Sequence, residues 1–380
     1  MIRFLTAGES HGDKLIGILE GIPANLKIDK GYINYELSRR QKGYGRSERM
    51  SIESDKVQIT SGIEDNITTG APISLVIDNL AKEIKSNEFL QPRPGHADLA
   101  GLIKYNQKNA KNILERASAR ETAMRTAIGA ICKIFLSNFG IKIFSHVISI
   151  SDVESNYNYY ESESELDFAL AENSILRMID SNAEQIAKER IDFGFEEGFT
   201  LGGKVELIIK NVPVGIGSHI QWDRRLDGKI AQAMMSIPGV KSVEIGLGEK
   251  IKNYHGNFSN DEIFYSENRG YYRKTNFAGG IEGGISNGED IVIRITMKPI
   301  PTQKKPLKTV NIVTKEDTIA FAQRSDVCAI VPLSIVAEAM AAIVISESFI
   351  DKFSGDSMEE IKSNFINYQI YVDKRWYYDC

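Results

Sequence analysis

ETAMRTAIGAICKIFLSNFG followed by IKIFSHVISI, residues 121–150, joins two periodicities at a single glycine. Through Phe139 the apolar residues recur every three or four positions, the period of a helix. Gly140 ends that run, because glycine past a helix end takes the left-handed conformation without strain. From Ile141 to Ile150 the β-branched residues read as a strand. A long helix running directly into a strand predicts mixed α and β structure.

The same mixture extends outward in both directions, without a strict βαβ repeat. The pattern predicts strands over 15–22, 56–61, 71–77, 204–212, 240–245 and 291–297. It predicts helices over 29–41, 174–190, 224–236 and 336–349, with Asp29 and Ser174 as N-caps and Gly43 just past the first helix. The last of these is apolar on most sides, which predicts a buried helix. ESNYNYYESES, residues 154–164, is acidic and tyrosine-rich and reads as a solvated surface excursion. No internal repeat and no Pro/Ser-rich linker divides the chain, so one continuous domain over 1–380 is expected.

Composition excludes several classes. The chain has 380 residues, of which 42% are hydrophobic and 26% charged, enough for a large core without disulfides or a structural metal. No apolar run approaches the roughly 18 residues that span a bilayer, and MIRFLTAGESHG has no apolar signal core. A cytoplasmic protein with no membrane partner is the expectation. Three scattered cysteines and five scattered histidines give no disulfide framework and no metal-ligand spacing. A pI near 5.7 argues against a nucleic-acid partner. Yet Arg39, Arg40, Lys42, Arg46 and Arg49 fall within eleven residues, and Arg116, Arg120 and Arg125 form a second group. Local arginine clusters in an acidic chain suit small anions better than a polyanion.

Gly-rich loops supply the rest of an anion site, since glycine lets backbone N–H groups approach phosphate oxygens. In GESHG (8–12), His11 follows Ser10 in a tight turn; it can meet a ligand or bond to nearby backbone. In RPGHAD (93–98), two prolines stiffen a loop that presents His96 either as a positioned acid or as a helix cap. In ERASARET (115–122), Ser118 and Glu121 fit a capping box, whereas Arg116 and Arg120 lie four apart where a helix dipole disfavours cations. A bound anion would account for them. Residues 278–288, AGGIEGGISNG, lack the spacing of a dinucleotide fingerprint and read as a hairpin loop. In RSDVCAIVP (324–332), Arg324 and Asp326 read by themselves as a surface ion pair.

GESHG, RPGHAD, RASARET (116–122), NFAGGIEGGIS (276–286) and RSDVC (324–328) ahead of VAEAMA (336–341) occur in that order. The ordered set resembles the chorismate synthase family from Gly8 to about Ser348. The resemblance implies an α+β fold, a single-domain β-α-β sandwich in which two antiparallel sheets enclose a helical layer, assembled as a homotetramer. It implies a lyase of the shikimate pathway that converts 5-enolpyruvylshikimate 3-phosphate to chorismate and phosphate by anti-1,4-elimination. Reduced FMN is required with no net redox change, and a separate flavin reductase or reductant is expected.

By the same resemblance His11 is the acid near the leaving phosphate, His96 protonates the reduced flavin, and Asp326 assists proton removal. Arg116, Ala117, Ser118, Pro238, Gly239, Gly283, Lys298, Pro299, Ile300, Pro301, Thr302 and Arg324 match FMN contacts. Arg40 and Arg46 match anion-binding arginines, read here as substrate ligands rather than NADP ligands, with Arg49, Arg120 and Ser10 grouped with them. Two departures stand out: Ser325 replaces the usual histidine, and Phe199–Thr200–Leu201–Gly202–Gly203 replaces D-S-x-G-G. Rival readings are a phosphate-ligand protein without chemistry and an oxidoreductase that consumes NADPH.

Overall fold

Strand alternation builds the first sheet. In β1 (Arg3–Gly8), β2 (Lys14–Glu20), β3 (Val57–Ser61) and β4 (Ile73–Asp78), Leu15, Leu19, Val57, Ile73, Leu75 and Ile77 point to one buried face. All pairings are antiparallel, in the order β1-β2-β4-β3. The computed structural model describes residues 1–46, 54–80, 88–162, 165–267, 270–321 and 326–377.

The second sheet contains β5 (Lys142–Ile150), β6 (Val153–Glu154), β7 (Gly203–Lys210), β8 (Val240–Ile245) and β9 (Ile291–Met297). Its order is β8-β9-β7-β5-β6, again antiparallel. β7 and β9 are buried on both faces, so their outward residues need cover. His146, Glu206 and Arg294 stand side by side across β5, β7 and β9. Arg294 Nε donates to Glu206 at 2.8 Å, and the His146 ring lies 3.0 Å from the same carboxylate.

Residues 155–162 provide that cover, which corrects the expected solvated excursion. Tyr159 N–H donates to Glu206 at 2.8 Å, Arg294 donates to Asn158 at 3.1 Å, and the Tyr160 hydroxyl donates to the Asn276 carbonyl at 2.9 Å. Burying charged groups requires such partners. Residues 163–164 lie outside the described residues.

The helices used below are α1 (Lys30–Gln41), α2 (Asp98–Tyr105), α3 (Lys111–Ala117), α4 (Thr122–Ser137), α5 (Ser181–Glu197), α6 (Leu226–Met235), α7 (Ile330–Phe353) and α8 (Met358–Val372). α4 lies on β2 and β4, α7 lies on β5 and β7, and the two helices pack against each other. The approach is close: a Cβ on Gly129 of α4 would stand 2.5 Å from the Cα of Ala339 in α7.

α7 starts six residues before the expected 336, because Pro332 sits in its first turn, where a missing N–H costs nothing. By length and composition it could cross a bilayer, contrary to the sequence expectation, but 21 of its 24 residues are buried inside the protein. The expected helix over 174–190 is instead α5, seven residues later. Arg177 has φ 56°, which breaks any helix there, and Asp180 caps the N–H groups of Asn182 and Ala183.

Glu338, in the apolar run of α7, is 1% exposed and gathers a buried charge cluster. Arg39 of α1 (2.7 Å), Lys133 of α4 (2.5 Å) and Arg177 (3.2 Å) donate to it. Burial opposes its ionisation, but those three cations hold the carboxyl well below the ordinary range.

Candidate active site

The loops at the ends of β1, β4 and β9 converge with the start of α7 on a cavity of about 600 Å3. His11, His96 and Asp326, far apart in sequence, all line it. So do Ser10, Arg40, Arg46, Ala117, Ser118, Arg120, Pro238, Gly239 and the run Lys298, Pro299, Ile300, Pro301 and Thr302. The size suits a ligand of metabolite dimensions.

His11 is placed by a short turn between β1 and β2. Gly8 enables the turn at φ 104°, where an added Cβ would meet the Lys14 carbonyl oxygen at 2.3 Å. The turn docks on α3: Ser10 N–H donates to the Glu115 carbonyl (3.1 Å), and His11 N–H donates to the Glu115 carboxylate (2.7 Å). The His11 Nδ1 lies 3.0 Å from Glu115 Oε1, so its partner is a carboxylate rather than backbone. Burial opposes ionisation of Glu115, yet its bonds from the His11 side chain and backbone leave its pKa lowered.

His96 does not cap α2; Ala97 occupies that position. Its Nδ1 lies 2.5 Å from Asp98 Oδ1. Arg93 holds the same carboxylate with its backbone N–H (3.0 Å), Nε (2.8 Å) and Nη2 (3.1 Å). Arg93 Nη1 also donates to the Thr302 hydroxyl at 2.8 Å, tying the 93–98 loop to the 298–302 loop. Lys298 Nζ adds a second tie at the Gly95 carbonyl. Burial and then the Lys241 charge lower the pKa of that ammonium. The hydroxyl of Thr200, in the departing 199–203 element, donates to the Ile300 carbonyl at 2.7 Å and pins the loop from behind.

Asp326 pairs with Arg46 at 3.1 Å. Arg324, Ser325 and Arg49 lie outside the described residues. Arg120 reaches Asp55 with both Nη atoms at 2.7 Å, and Arg40 stands 3.7 Å from the same carboxylate. The two cavity arginines therefore share an internal counter-ion.

Arg116 and Arg120 do not share a helix face, because α3 ends at Ala117 and a tight turn follows. Arg116 turns away to the Thr6 carbonyl and hydroxyl, outside the cavity. Ser118 caps the turn by accepting from Arg120 N–H, while Glu121 bonds Thr6 and Arg125, so no capping box forms. Gly283 sits in the hairpin of Ile281–Glu282 and Ile285–Ser286, which does not line the cavity. The sequence reading missed Glu115, Arg93 and Lys241. The first two were visible as letters of the quoted motifs; Lys241 carried no local signal.

The donor set fits a planar, phosphate-bearing group such as FMN. Arg40, Arg46, Arg93, Lys241 and Lys298 offer cations, and Met235, Ile237, Val240 and Met297 offer an apolar wall. Gly239, at φ 87°, keeps that wall open where a Cβ would press on the Met297 side chain at 3.0 Å.

A family model described as chorismate synthase matches residues 2–350. Chorismate synthase of Carboxydothermus hydrogenoformans is 50% identical over 380 residues, covering 97% of this chain and 98% of the relative. That of Aquifex aeolicus is 51% identical over 390 residues, covering 98% of each. A crystal structure of chorismate synthase shares 45% identity at a TM-score of 0.81, with 98% of both chains covered.

Proposed function

The chain belongs to the chorismate synthase family of carbon–oxygen lyases, and we propose that it eliminates phosphate from 5-enolpyruvylshikimate 3-phosphate to give chorismate. The observation that carries this reading is the convergence of His11, His96 and Asp326 on one cavity with four arginines, Arg40, Arg46, Arg93 and Arg120. The substrate carries a phosphate and carboxylates, and the bond to break releases a phosphate. Arginines lower the charge cost of holding and releasing it. We assign Arg40 and Arg46 to the substrate rather than to NADP, because they line the same cavity as His11 and Asp326, and Arg46 pairs with Asp326.

His11 delivers a proton to the departing phosphate oxygen as general acid. Asp326, oriented by Arg46, assists removal of the proton from carbon. His96 holds a proton at its imidazole, next to the loop that would carry the flavin. Ala117, Ser118, Pro238, Gly239 and the 298–302 run would hold reduced FMN. When bound, that group supplies electron density to the substrate and a site that collects the proton, without net redox change. The chain's own residues bind, orient and protonate.

We further read the chain as one domain with the helical layer between the two sheets; the contiguous buried core from Ile2 to Ile361 supports this. A homotetramer is supported by Leu5, Ile16 and Ile18, which leave an apolar outer face on the first sheet. A separate reductant source completes the reading.

Anaerobic mixing with 5-enolpyruvylshikimate 3-phosphate and photoreduced FMN tests the reaction. Expected are equal amounts of phosphate and diene product, no turnover with oxidised FMN, and no flavin consumed. Binding of both ligands without phosphate release would defeat the proposal.

A further inference from the structure

The cavity holds its two histidines by the same device, a carboxylate on Nδ1 that is itself fixed by the backbone of the loop it serves. We propose that Glu115 and Asp98 are positioning residues that lock His11 and His96 as Nδ1–H tautomers, so that both rings present Nε2 to the reacting groups.

The argument is one of donor and acceptor arithmetic. An ionised carboxylate only accepts hydrogen bonds, so a ring nitrogen 2.5 or 3.0 Å from it must carry the proton. A neutral imidazole has one N–H, and placing it on Nδ1 leaves Nε2 to take up the second proton, so it is from Nε2 of the imidazolium, stabilised by the carboxylate on Nδ1, that each ring donates. Arg93 Nη2 also lies 3.0 Å from His96 Nδ1. Arginine cannot accept, so that contact and the Asp98 bond cannot both use one ring nitrogen. The shorter Asp98 bond decides it, and Arg93 Nη2 has Asp98 Oδ1 at 3.1 Å to donate to instead. Asp98 is kept ionised: burial opposes this, but bonds from His96 and Arg93 and the Arg93 charge prevail.

Neither carboxylate can swing away. Glu115 accepts the His11 backbone N–H at 2.7 Å, and its own carbonyl accepts Ser10 N–H. Asp98 accepts the Arg93 backbone N–H at 3.0 Å. Each loop thus closes on the group that orients its histidine. His11 and Glu115 side chains are each 7% exposed, so water does not compete for the bond.

Nitrogen-15 NMR of the full chain with labelled histidine reads the tautomers directly. The five histidines are assigned by single replacement. For neutral His11 and His96 the protonated nitrogen is expected to be Nδ1. In Glu115→Gln and Asp98→Asn the fixed backbone donors retain the amide oxygen, so the amide N–H₂ faces the ring. Both rings should then flip to Nε2–H. The kinetic arm rests on the proposed lyase reading: kcat should fall by up to about 10⁴-fold, as when a triad aspartate becomes asparagine, with KM changed less than about threefold. Nε2–H in the wild-type rings, or unchanged tautomers in the variants, would overturn the proposal. Nδ1–H rings in a protein without lyase activity would uphold the dyads and defeat the function instead. If a variant fails to fold, the wild-type spectrum alone still decides.

Discussion

Asp55 shows how much of a site one residue can reorganise. It is 5% exposed and faces both Arg120 and Arg40. Asp55→Ala is expected to cost about 3–5 kcal/mol, because two buried guanidinium groups lose their counter-ion. Guanidinium chloride unfolding measures it, and a loss below about 1 kcal/mol would contradict the pairing. The arginine clusters were legible as anion-binding charge, but their partial neutralisation was not. Asp55 lies outside both clusters, and contact across the fold leaves no local pattern. Likewise, His11 and His96 stood out as letters, whereas Glu115 and Asp98 became meaningful only once 2.5–3.0 Å distances joined them to the rings.

Among the elements, the α4–α7 crossing is a tight constraint. Gly129→Ala would force its Cβ onto the backbone of Ala339, with distances of 2.5 Å to Cα and 2.7 Å to the carbonyl oxygen. A penalty of about 1–3 kcal/mol is expected, despite the better helix propensity of alanine. A thermal midpoint equal to or above wild type would show that the helices separate easily. Helix α4 was legible because its period and Gly140 stop agree, and Gly140 indeed takes φ 76°. α5 was misplaced because Ser174 and Asp180 are both competent caps. What decides between them is the turn at Arg177, whose guanidinium is drawn into the Glu338 cluster. The 154–164 stretch misled for a related reason. Its polar letters describe solvent until Glu206 and Arg294 are known to be buried beneath it.

For the molecule as a whole, the mixture of helix and strand was readable from periodicity, while the convergence of distant loops on one cavity needed the three-dimensional structure. Its charge design predicts acid sensitivity. Burial opposes ionisation of Asp98, Glu115, Glu172, Glu206 and Glu338, yet hydrogen bonds and cations hold all five below their ordinary values. Folded values below unfolded ones mean that the unfolded chain binds more protons, so stability rises with pH. Their contribution is fully present above the unfolded value near pH 4 to 5, and is lost as pH falls through the folded values. Chemical unfolding between pH 7 and 3 should therefore show little change from these groups at first, then a steep loss below about pH 5. A midpoint that rises on acidification would refute it. Helix α7 carries one more consequence, for biosynthesis. All nine strands of the two sheets precede it in the chain, so a ribosome releases them before the segment that fills the space against α4 and the second sheet. Until then the nascent protein displays an open apolar cleft, and the emerging helix itself resembles a membrane anchor to any targeting factor. Chains stalled before Ile330 are expected to be held by chaperones, and release should coincide with the arrival of Phe353.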